Sequence, residues 1–218
     1  MNVVLMGPPG VGKGTQAAAL KAFLGVPHVS TGDILRASMN EGSPLGKKVK
    51  EYVESGRLVP DELMGDLIAE RLARHDAARG FVLDGFPRTL EQVAILDGVL
   101  ERLGRSLDRV LILTAPEAEI VHRLSGRRSC PKCGSVFHLE SRPPKAAGIC
   151  DNCGSALVQR KDDTEEVIRE RLRVYASQTV PVAGAYRTKG LLAEVDGLGE
   201  VAEIGARLKA GLGRTQPA

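Results

Sequence analysis

The sequence lacks the features that mark a membrane protein, a disulfide-linked secreted domain or a disordered chain. No apolar run approaches the roughly 20 residues of a membrane helix and no basic leader precedes the first strand-like run, so we expect a cytosolic location. Only four cysteines occur in 218 residues, which excludes a disulfide framework that ties the whole chain together. The 30 Lys and Arg nearly balance the 27 Asp and Glu, and this charge indicates neither a nucleic-acid nor a membrane partner. Hydrophobic residues make up 43% of the chain, as in ordinary globular domains.

Short strand-like runs rich in Val, Leu and Ile alternate along the chain with longer segments of helical periodicity. We predict strands at residues 3–6, 81–83, 110–113 and 191–195. We predict helices at residues 13–24, 61–74, 89–103, 116–124, 165–177 and 201–212. This alternation is typical of an α/β fold in which helices cover a parallel sheet.

Two stretches interrupt the alternation. Residues 30–59 contain short helix-like pieces broken by glycine and proline, and residues 126–163 contain all the cysteines. We interpret both stretches as inserts on one core, which comprises residues 1–29, 60–125 and 164–218. The last residues, 213–218, are expected to fray.

A glycine-rich segment, Gly7-Pro8-Pro9-Gly10-Val11-Gly12-Lys13-Gly14-Thr15, follows the first predicted strand and leads into the first predicted helix. Its glycines let backbone N–H groups turn inward, the helix N-terminus adds a positive dipole end, and Lys13 can reach outer phosphates. A turn that merely caps a helix is the alternative, which the spacing, the lysine and the strand-to-helix context together disfavour. The general phosphate-loop pattern has Ser or Thr directly after the lysine, whereas here Gly14 intervenes before Thr15. We therefore expect the Thr15 hydroxyl to contact phosphate rather than a metal ion.

The cysteines form two matched pairs, Cys130/Cys133 and Cys150/Cys153, separated by 16 residues. This spacing is typical of tetrahedral zinc, and four thiolates would leave no open position for water, so we expect a structural site. Glycine follows each pair and lets backbone N–H groups turn toward sulfur. The alternatives are disulfides, a redox pair, and iron bound in place of zinc. His138 lies nearby, and we predict a surface position for it because four cysteines already complete the ligand set.

Four blocks occur in order along the chain: the glycine-rich segment with Gln16, residues 30–36, residues 84–89 with Gln92, and residues 160–163. Together they resemble the nucleoside monophosphate kinase family, and within it the adenylate kinases of the long form with a zinc-binding lid. The resemblance implies a three-layer core like that of P-loop NTPases, an AMP-binding insert at residues 30–59 and a zinc-ribbon lid at residues 126–163. It also implies reversible, Mg²⁺-dependent transfer of the terminal phosphoryl group of ATP to AMP, giving two ADP, by a monomer.

The same resemblance implies roles for individual residues. The implied ATP-binding residues are Gly10, Val11, Gly12, Lys13, Gly14, Thr15, Arg127, Val136, Phe137 and Gly199. The implied AMP-binding residues are Thr31, Arg36, Arg57, Leu58, Val59, Gly85, Phe86, Pro87, Arg88, Gln92, Arg160 and Arg171. The implied catalytic residues are Lys13, Arg88, Arg123, Arg127, Arg160 and Arg171, and Asp84 is the residue implied to orient Mg²⁺.

These residue types suit phosphoryl transfer, which needs placement of donor and acceptor and positive charge rather than a protein nucleophile. Arg36 and Arg88 can each bind phosphate through two hydrogen bonds, and Gln92 offers a donor and an acceptor to a base. Asp84 could instead cap a helix. Asp162 and Asp163 resemble a hinge pair that binds lid arginines, the alternative being a solvated acidic run.

Two other functions compete with this interpretation. A uridylate or cytidylate kinase is the nearest, but in that family Thr89 is usually Asn. A regulatory protein that uses its nucleotide site as a switch is the second, and a zinc ribbon could then bind nucleic acid. Phe137 is the only aromatic residue in 126–163, which disfavours nucleic acid. The Leu198-Gly199-Glu200 run lacks a lysine that some family members have near the adenine, so the preference for ATP over GTP depends on a backbone contact at Gly199.

Overall fold

The computed structural model describes residues 1–213, and residues 214–218, most of the segment predicted to fray, lie outside the described part. Its central sheet has five parallel strands in the order β2-β3-β1-β4-β7. These strands are β1 (Asn2–Met6), β2 (His28–Ser30), β3 (Phe81–Asp84), β4 (Arg109–Thr114) and β7 (Leu192–Asp196). A separate antiparallel pair consists of β5 (Arg127–Ser129) and β6 (Val136–His138).

The helices connect these strands in sequence. They are α1 (Lys13–Leu24), α2 (Thr31–Asn40), α3 (Pro44–Ser55), α4 (Asp61–Ala73), α5 (Leu90–Arg102), α6 (Glu117–Ser125), α7 (Glu165–Val174), α8 (Val180–Thr188) and α9 (Val201–Leu212). Short 3₁₀ turns occur at His75–Ala77 and Lys161–Asp163, and a π-helical turn, Tyr175–Thr179, joins α7 to α8. In the described part of the chain, no helix combines the length and the apolar character that a membrane crossing requires.

The alternation of side chains along the buried strands produces three layers. In β1, Val4 and Met6 face one side and pack with residues of α4, α5 and α8. Val3 and Leu5 face the opposite side and pack with residues of α1 and α9. Full burial of each such side chain stabilises the fold by about 1.5–3 kcal/mol. The predicted α/β core with a central parallel sheet is confirmed.

Several helices begin at a residue whose side chain accepts a hydrogen bond from a backbone N–H group of the first turn. Ser30 caps α2 by accepting from Asp33 N at 3.2 Å, and Thr89 caps α5 by accepting from Gln92 N at 3.1 Å. The predicted helix at 89–103 therefore begins one residue later than expected, with Thr89 as its cap rather than its first residue. Ser30, which we assigned to the first insert, is the last residue of β2 and pairs with Asp84.

One strand and one α-helix of the core were not predicted. Strand β2 has only three residues, too few for a periodic signal, and it exists because β3 supplies its hydrogen-bonding partner. Helix α8 lies beyond the helix predicted at residues 165–177, and no helix was predicted there. Proline is tolerated in the first turn of a helix, and Pro181 occupies that turn of α8. The helical backbone therefore continues from α7 through the π-helical turn.

The order of the strands determines where a ligand can bind. The chain leaves β1 for β2 on one side of the sheet, whereas β4 pairs with β1 on the other side. Crevices in open α/β sheets form outside the carboxyl ends of the strands at such a reversal. The glycine-rich segment follows β1 directly and therefore lies at this point.

Candidate active site

Two adjoining clefts open at the carboxyl ends of the strands. The larger has a volume of about 970 Å³ and is lined by the glycine-rich segment, the ends of β2 and β3, the β5–β6 region and residues 198–201. The smaller has a volume of about 70 Å³ and lies between α2, α3 and the start of α5. Every residue that the sequence assigned to ATP lines the larger cleft, and those assigned to AMP line one cleft or both.

The glycine-rich segment bends tightly enough to require glycine at specific positions. Gly7 has a φ of 138°, and a Cβ there would lie 2.5 Å from the Leu113 carbonyl oxygen. Gly12 has a φ of 102° and caps α1, so the free N–H groups of that helix face the cleft. This local geometry makes an anion-binding cradle.

Lys13 completes the cradle. Its Nζ donates to the carbonyl oxygens of Gly7 and Pro8 at 2.8 Å each. Burial lowers the pKa of Lys13 to about 8; the Asp84 carboxylate opposes this shift, and nearby arginines including Arg88 add to it. Burial disfavours the charged form of Lys13 in the free protein, and a bound phosphate would stabilise that form.

The five arginines to which the family resemblance gives catalytic roles come from distant parts of the chain and line the larger cleft. They are Arg88, Arg123, Arg127, Arg160 and Arg171. Burial lowers the pKa of Arg88 and of Arg160 to about 10 each, and other arginines contribute in both cases. So much positive charge in a half-enclosed cleft is complementary to several phosphate groups.

Protein acceptors hold these arginines in position. Arg123 Nη1 donates to the carbonyl oxygens of Val11 at 3.2 Å and Gly197 at 3.1 Å. Arg160 Nε donates to Ser129 Oγ at 2.8 Å, and Arg88 Nε donates to the Gly85 carbonyl oxygen at 2.7 Å. The remaining N–H groups of each fork are available to a ligand.

Asp162 and Asp163 are buried in ion pairs, so the alternative of a solvated acidic run is wrong. Asp163 accepts from Arg127 Nε at 2.7 Å and Nη2 at 2.6 Å, and from Arg171 Nη1 at 3.2 Å. Asp162 lies 3.1 Å from Arg171 Nη1. Burial opposes ionisation of Asp162, but Arg171 and Arg127 outweigh it and lower the pKa of that carboxyl. The pair joins the end of the cysteine-containing insert to α7.

Asp84 ends β3 and is 8% exposed at the base of the larger cleft. Its Oδ2 lies 3.5 Å from His28 Nε2 on the neighbouring strand. The residue stands in a strand and not at a helix N-terminus, so the capping alternative is wrong. A carboxylate beside the phosphate cradle can reach a hydrated cation.

The four cysteine Sγ atoms lie within 4.8 Å of one another. The Cys130–Cys153 and Cys133–Cys150 Sγ pairs are 3.4 and 3.5 Å apart, far longer than the roughly 2.05 Å of a disulfide. Four bonds of 2.3 Å in a tetrahedron would separate the sulfurs by about 3.8 Å, which is close to these distances. The donor set therefore fits a thiophilic cation such as zinc.

Hydrogen bonds to sulfur prepare this site. The Ser155 side chain and backbone N–H lower the pKa of Cys153 to about 6, and Ser135 lowers that of Cys133 in the same way. Although the Cys133 N–H favours the Cys130 thiolate, burial and the Cys153 thiol raise the pKa of Cys130 to about 11. Gly134 and Gly154 have φ of 74° and 72°, which turns the following N–H groups toward sulfur as the sequence predicted.

Comparison with known proteins identifies the family of this chain. The family model described as adenylate kinase matches residues 5–191. The chain belongs to the adenylate kinase family. An adenylate kinase of Trichlorobacter lovleyi is 51% identical over 97% of this chain and 99% of its own length. One of Caldicellulosiruptor bescii is 47% identical over 98% and 99%, and one of Methanocella arvoryzae is 50% identical over 97% and 98%.

The surface position predicted for His138 is wrong. His138 is 9% exposed and not a surface residue. Its Nδ1 accepts from the backbone N–H groups of Glu140 and Ser141 at 3.1 Å each, and its ring lies 5.3 Å from that of His122 on α6. The His138 ring fills the space beside Gly126, where any larger side chain would collide with it. This contact depends on the fold, so the sequence did not indicate it.

The family resemblance also left three site residues unassigned. His28 faces Asp84, Asp61 bonds to Gln92, and Thr179 donates to the Arg88 carbonyl oxygen at 3.0 Å. Asp61 is the first residue of the helix predicted at 61–74, and that pattern indicates no role in the site. Thr179 had no signal, since the π-helical turn that directs it toward Arg88 was not predicted.

Proposed function

We propose that this chain catalyses reversible transfer of the terminal phosphoryl group of ATP to AMP, giving two ADP. The observation that carries the proposal is the convergence of Lys13 and the five arginines between the phosphate cradle and the smaller cleft beside Gln92. A single acceptor pocket next to a triphosphate-sized cationic cleft fits a phosphotransferase better than a nucleotide-binding switch.

We assign the donor to the larger cleft. Backbone N–H groups of the glycine-rich segment and Lys13 bind the phosphates of ATP, and Arg123 and Arg127 flank the group that is transferred. The edge of β6 at Val136 and Phe137 and the backbone at Gly199 contact the base and ribose. We assign the acceptor to the smaller cleft, where Thr31, Arg36, residues 57–59 and Gln92 bind AMP.

The reaction requires no nucleophile from the protein. A phosphate oxygen of AMP attacks the γ-phosphorus of ATP, the bond from that phosphorus to the β–γ bridging oxygen breaks, and ADP leaves. Arg88, Arg160 and Arg171 hold the acceptor phosphate in line and stabilise negative charge on the transferring group. Bound Mg²⁺ would neutralise charge on the donor phosphates, and Asp84 would orient it through water.

We propose that residues 30–59 and 126–163 are separate segments that close over AMP and ATP. Each carries site arginines, and each is built from its own elements: the α2–α3 pair in the first, and β5, β6 and the cysteines in the second. Closure would exclude water and so limit ATP hydrolysis. Zinc held by Cys130, Cys133, Cys150 and Cys153 would brace the second segment so that it moves as a unit.

A coupled assay with Mg-ATP and AMP, CMP, UMP or GMP tests the proposal. We expect strong selectivity for AMP and, in Arg88→Ala, a loss of about 10²–10³-fold in turnover. Arg102→Ala, which removes an exposed arginine at the end of α5, serves as the matched control and should retain activity. Failure of every acceptor while ATP still binds would contradict the proposal and favour the binding switch.

We also propose one structural zinc ion per chain, a monomeric state and a cytosolic location. Metal analysis of the purified protein should find about one zinc per chain, and finding iron instead would support the alternative metal. Size-exclusion chromatography with light scattering should report a monomer of 23.2 kDa. A cytosolic location suits four free thiols, which a reducing compartment preserves.

A further inference from the structure

A chain of hydrogen bonds that starts at Asp61, the first residue of α4, holds the carboxamide of Gln92. Gln92 Nε2 donates to Asp61 Oδ1 at 2.7 Å, and Gln92 Oε1 accepts from the backbone N–H of Arg88 at 2.8 Å. Thr89 Oγ1 donates to Asp61 Oδ2 at 2.9 Å and fixes the carboxylate. Gln92 is 2% exposed, so little water competes for these bonds.

These partners determine which end of the amide is the donor. An ionised carboxylate only accepts and a backbone N–H only donates, so Nε2 must face Asp61 and Oε1 must face Arg88. If the amide turned by 180°, Gln92 Oε1 would face the Asp61 carboxylate, acceptor against acceptor. Gln92 Nε2 would face the backbone N–H of Arg88, donor against donor. Both bonds would be lost in a buried place, which carries the full cost of unpaired polar groups.

The fixed amide still has one lone pair and one N–H that are not used by these partners. Gln92 lines the smaller cleft, where the proposed function assigns the acceptor nucleotide. A base in that cleft therefore meets an acceptor and a donor in one fixed order. Selectivity then follows from the order of groups on the edge of the base.

We propose that Asp61 is a positioning residue that sets the base selectivity of the acceptor site by fixing the orientation of Gln92. This inference rests on the proposed function, in which Gln92 reads the base of AMP. Adenine and cytosine present an amino donor beside a ring-nitrogen acceptor, whereas guanine and uracil present a carbonyl acceptor beside a ring N–H. A carboxamide can pair with either pattern only if it can turn, and Asp61 prevents the turn.

Cytidine and uridine monophosphates provide the sharpest comparison, because their bases have the same size and opposite patterns. The wild type should prefer CMP to UMP among these poor acceptors. Asp61→Asn fills the same space but can offer Gln92 either an acceptor or a donor. We expect the CMP-to-UMP ratio of kcat/KM to fall about tenfold in this variant, together with a similar loss of kcat/KM for AMP.

Asp66→Asn is the matched control, since Asp66 is an exposed carboxylate on the same helix, and it should leave the ratio unchanged. A folded Asp61→Asn variant with the wild-type ratio would overturn the proposal. Hydrogen exchange of the Gln92 side-chain amide in the wild type gives a readout that needs no variant. Slow exchange relative to the exposed Gln178 supports the proposal, and equally fast exchange contradicts it. If the wild type phosphorylates no nucleoside monophosphate, that result overturns the proposed function as well as this inference, and it is seen before any variant is made.

Discussion

Removal of the Asp163 carboxylate should destabilise the protein far more than removal of an exposed one. The Asp163 side chain is 0% exposed and accepts three hydrogen bonds, two from Arg127 and one from Arg171. In Asp163→Ala both guanidinium groups lose a carboxylate partner in a place with little water. The change therefore removes the carboxylate that pairs with Arg127 and leaves Arg171 with the carboxylate of Asp162.

The structure sets the expected size of this effect. Breaking a buried ion pair by deleting one partner costs about 3–5 kcal/mol. The side chains of Arg127 and Arg171 are 17% and 18% exposed, so each can regain some hydration, and we expect the lower end of that range. For a chain of this length, a loss of about 3 kcal/mol corresponds to a fall in Tm of roughly 6–12 °C.

Denaturant unfolding of the zinc-loaded protein, followed by circular dichroism, measures the change in the free energy of unfolding. Glu165→Ala is the control, because the Glu165–Arg169 pair is 68% and 64% exposed and should contribute no more than about 0.5 kcal/mol. A double-mutant cycle with Arg127→Gln would isolate the coupling between Asp163 and Arg127. An Asp163→Ala variant within about 1 kcal/mol of the wild type would refute the reasoning that burial makes this pair costly to break.

Three further perturbations follow from the site. Because bound phosphate favours charged Lys13, whose pKa is about 8 in the free protein, ATP binding should take up roughly three-quarters of a proton at pH 8.5 and almost none at pH 6.5. Calorimetry in buffers of different ionisation enthalpy measures this uptake, and its persistence in Lys13→Arg would contradict the assignment. Thr179→Val removes the hydroxyl that donates to the Arg88 carbonyl oxygen, so KM for AMP should rise roughly tenfold while KM for ATP changes little, and Thr179→Ser should restore it. Cys150→Ser should release the metal and lower Tm, as metal analysis and calorimetry would show; an unchanged Tm after metal loss would exclude a structural role.

Much of the core was predictable because its signals are local. The Val-rich run of β1 and the glycines after it indicate strand and cradle by residue type, since only glycine tolerates the φ of 138° at Gly7. The cysteine spacing is equally local, because two short knuckles bring each pair of sulfurs together without help from the rest of the fold. Elements that depend on a distant partner, such as β2, gave no comparable signal.

The sequence by itself determined the fold class, the phosphate cradle, the likeness to adenylate kinases and the four cysteine donors. Each of these depends on the types of residue in short segments of the chain. Only the tertiary structure decided which partners the polar side chains would have. Asp163 is buried between Arg127 and Arg171, His138 fills the space over Gly126, and Asp61 fixes the carboxamide of Gln92. Each of these contacts joins residues that are separated along the chain, and the directions of their hydrogen bonds depend on packing that no local pattern encodes.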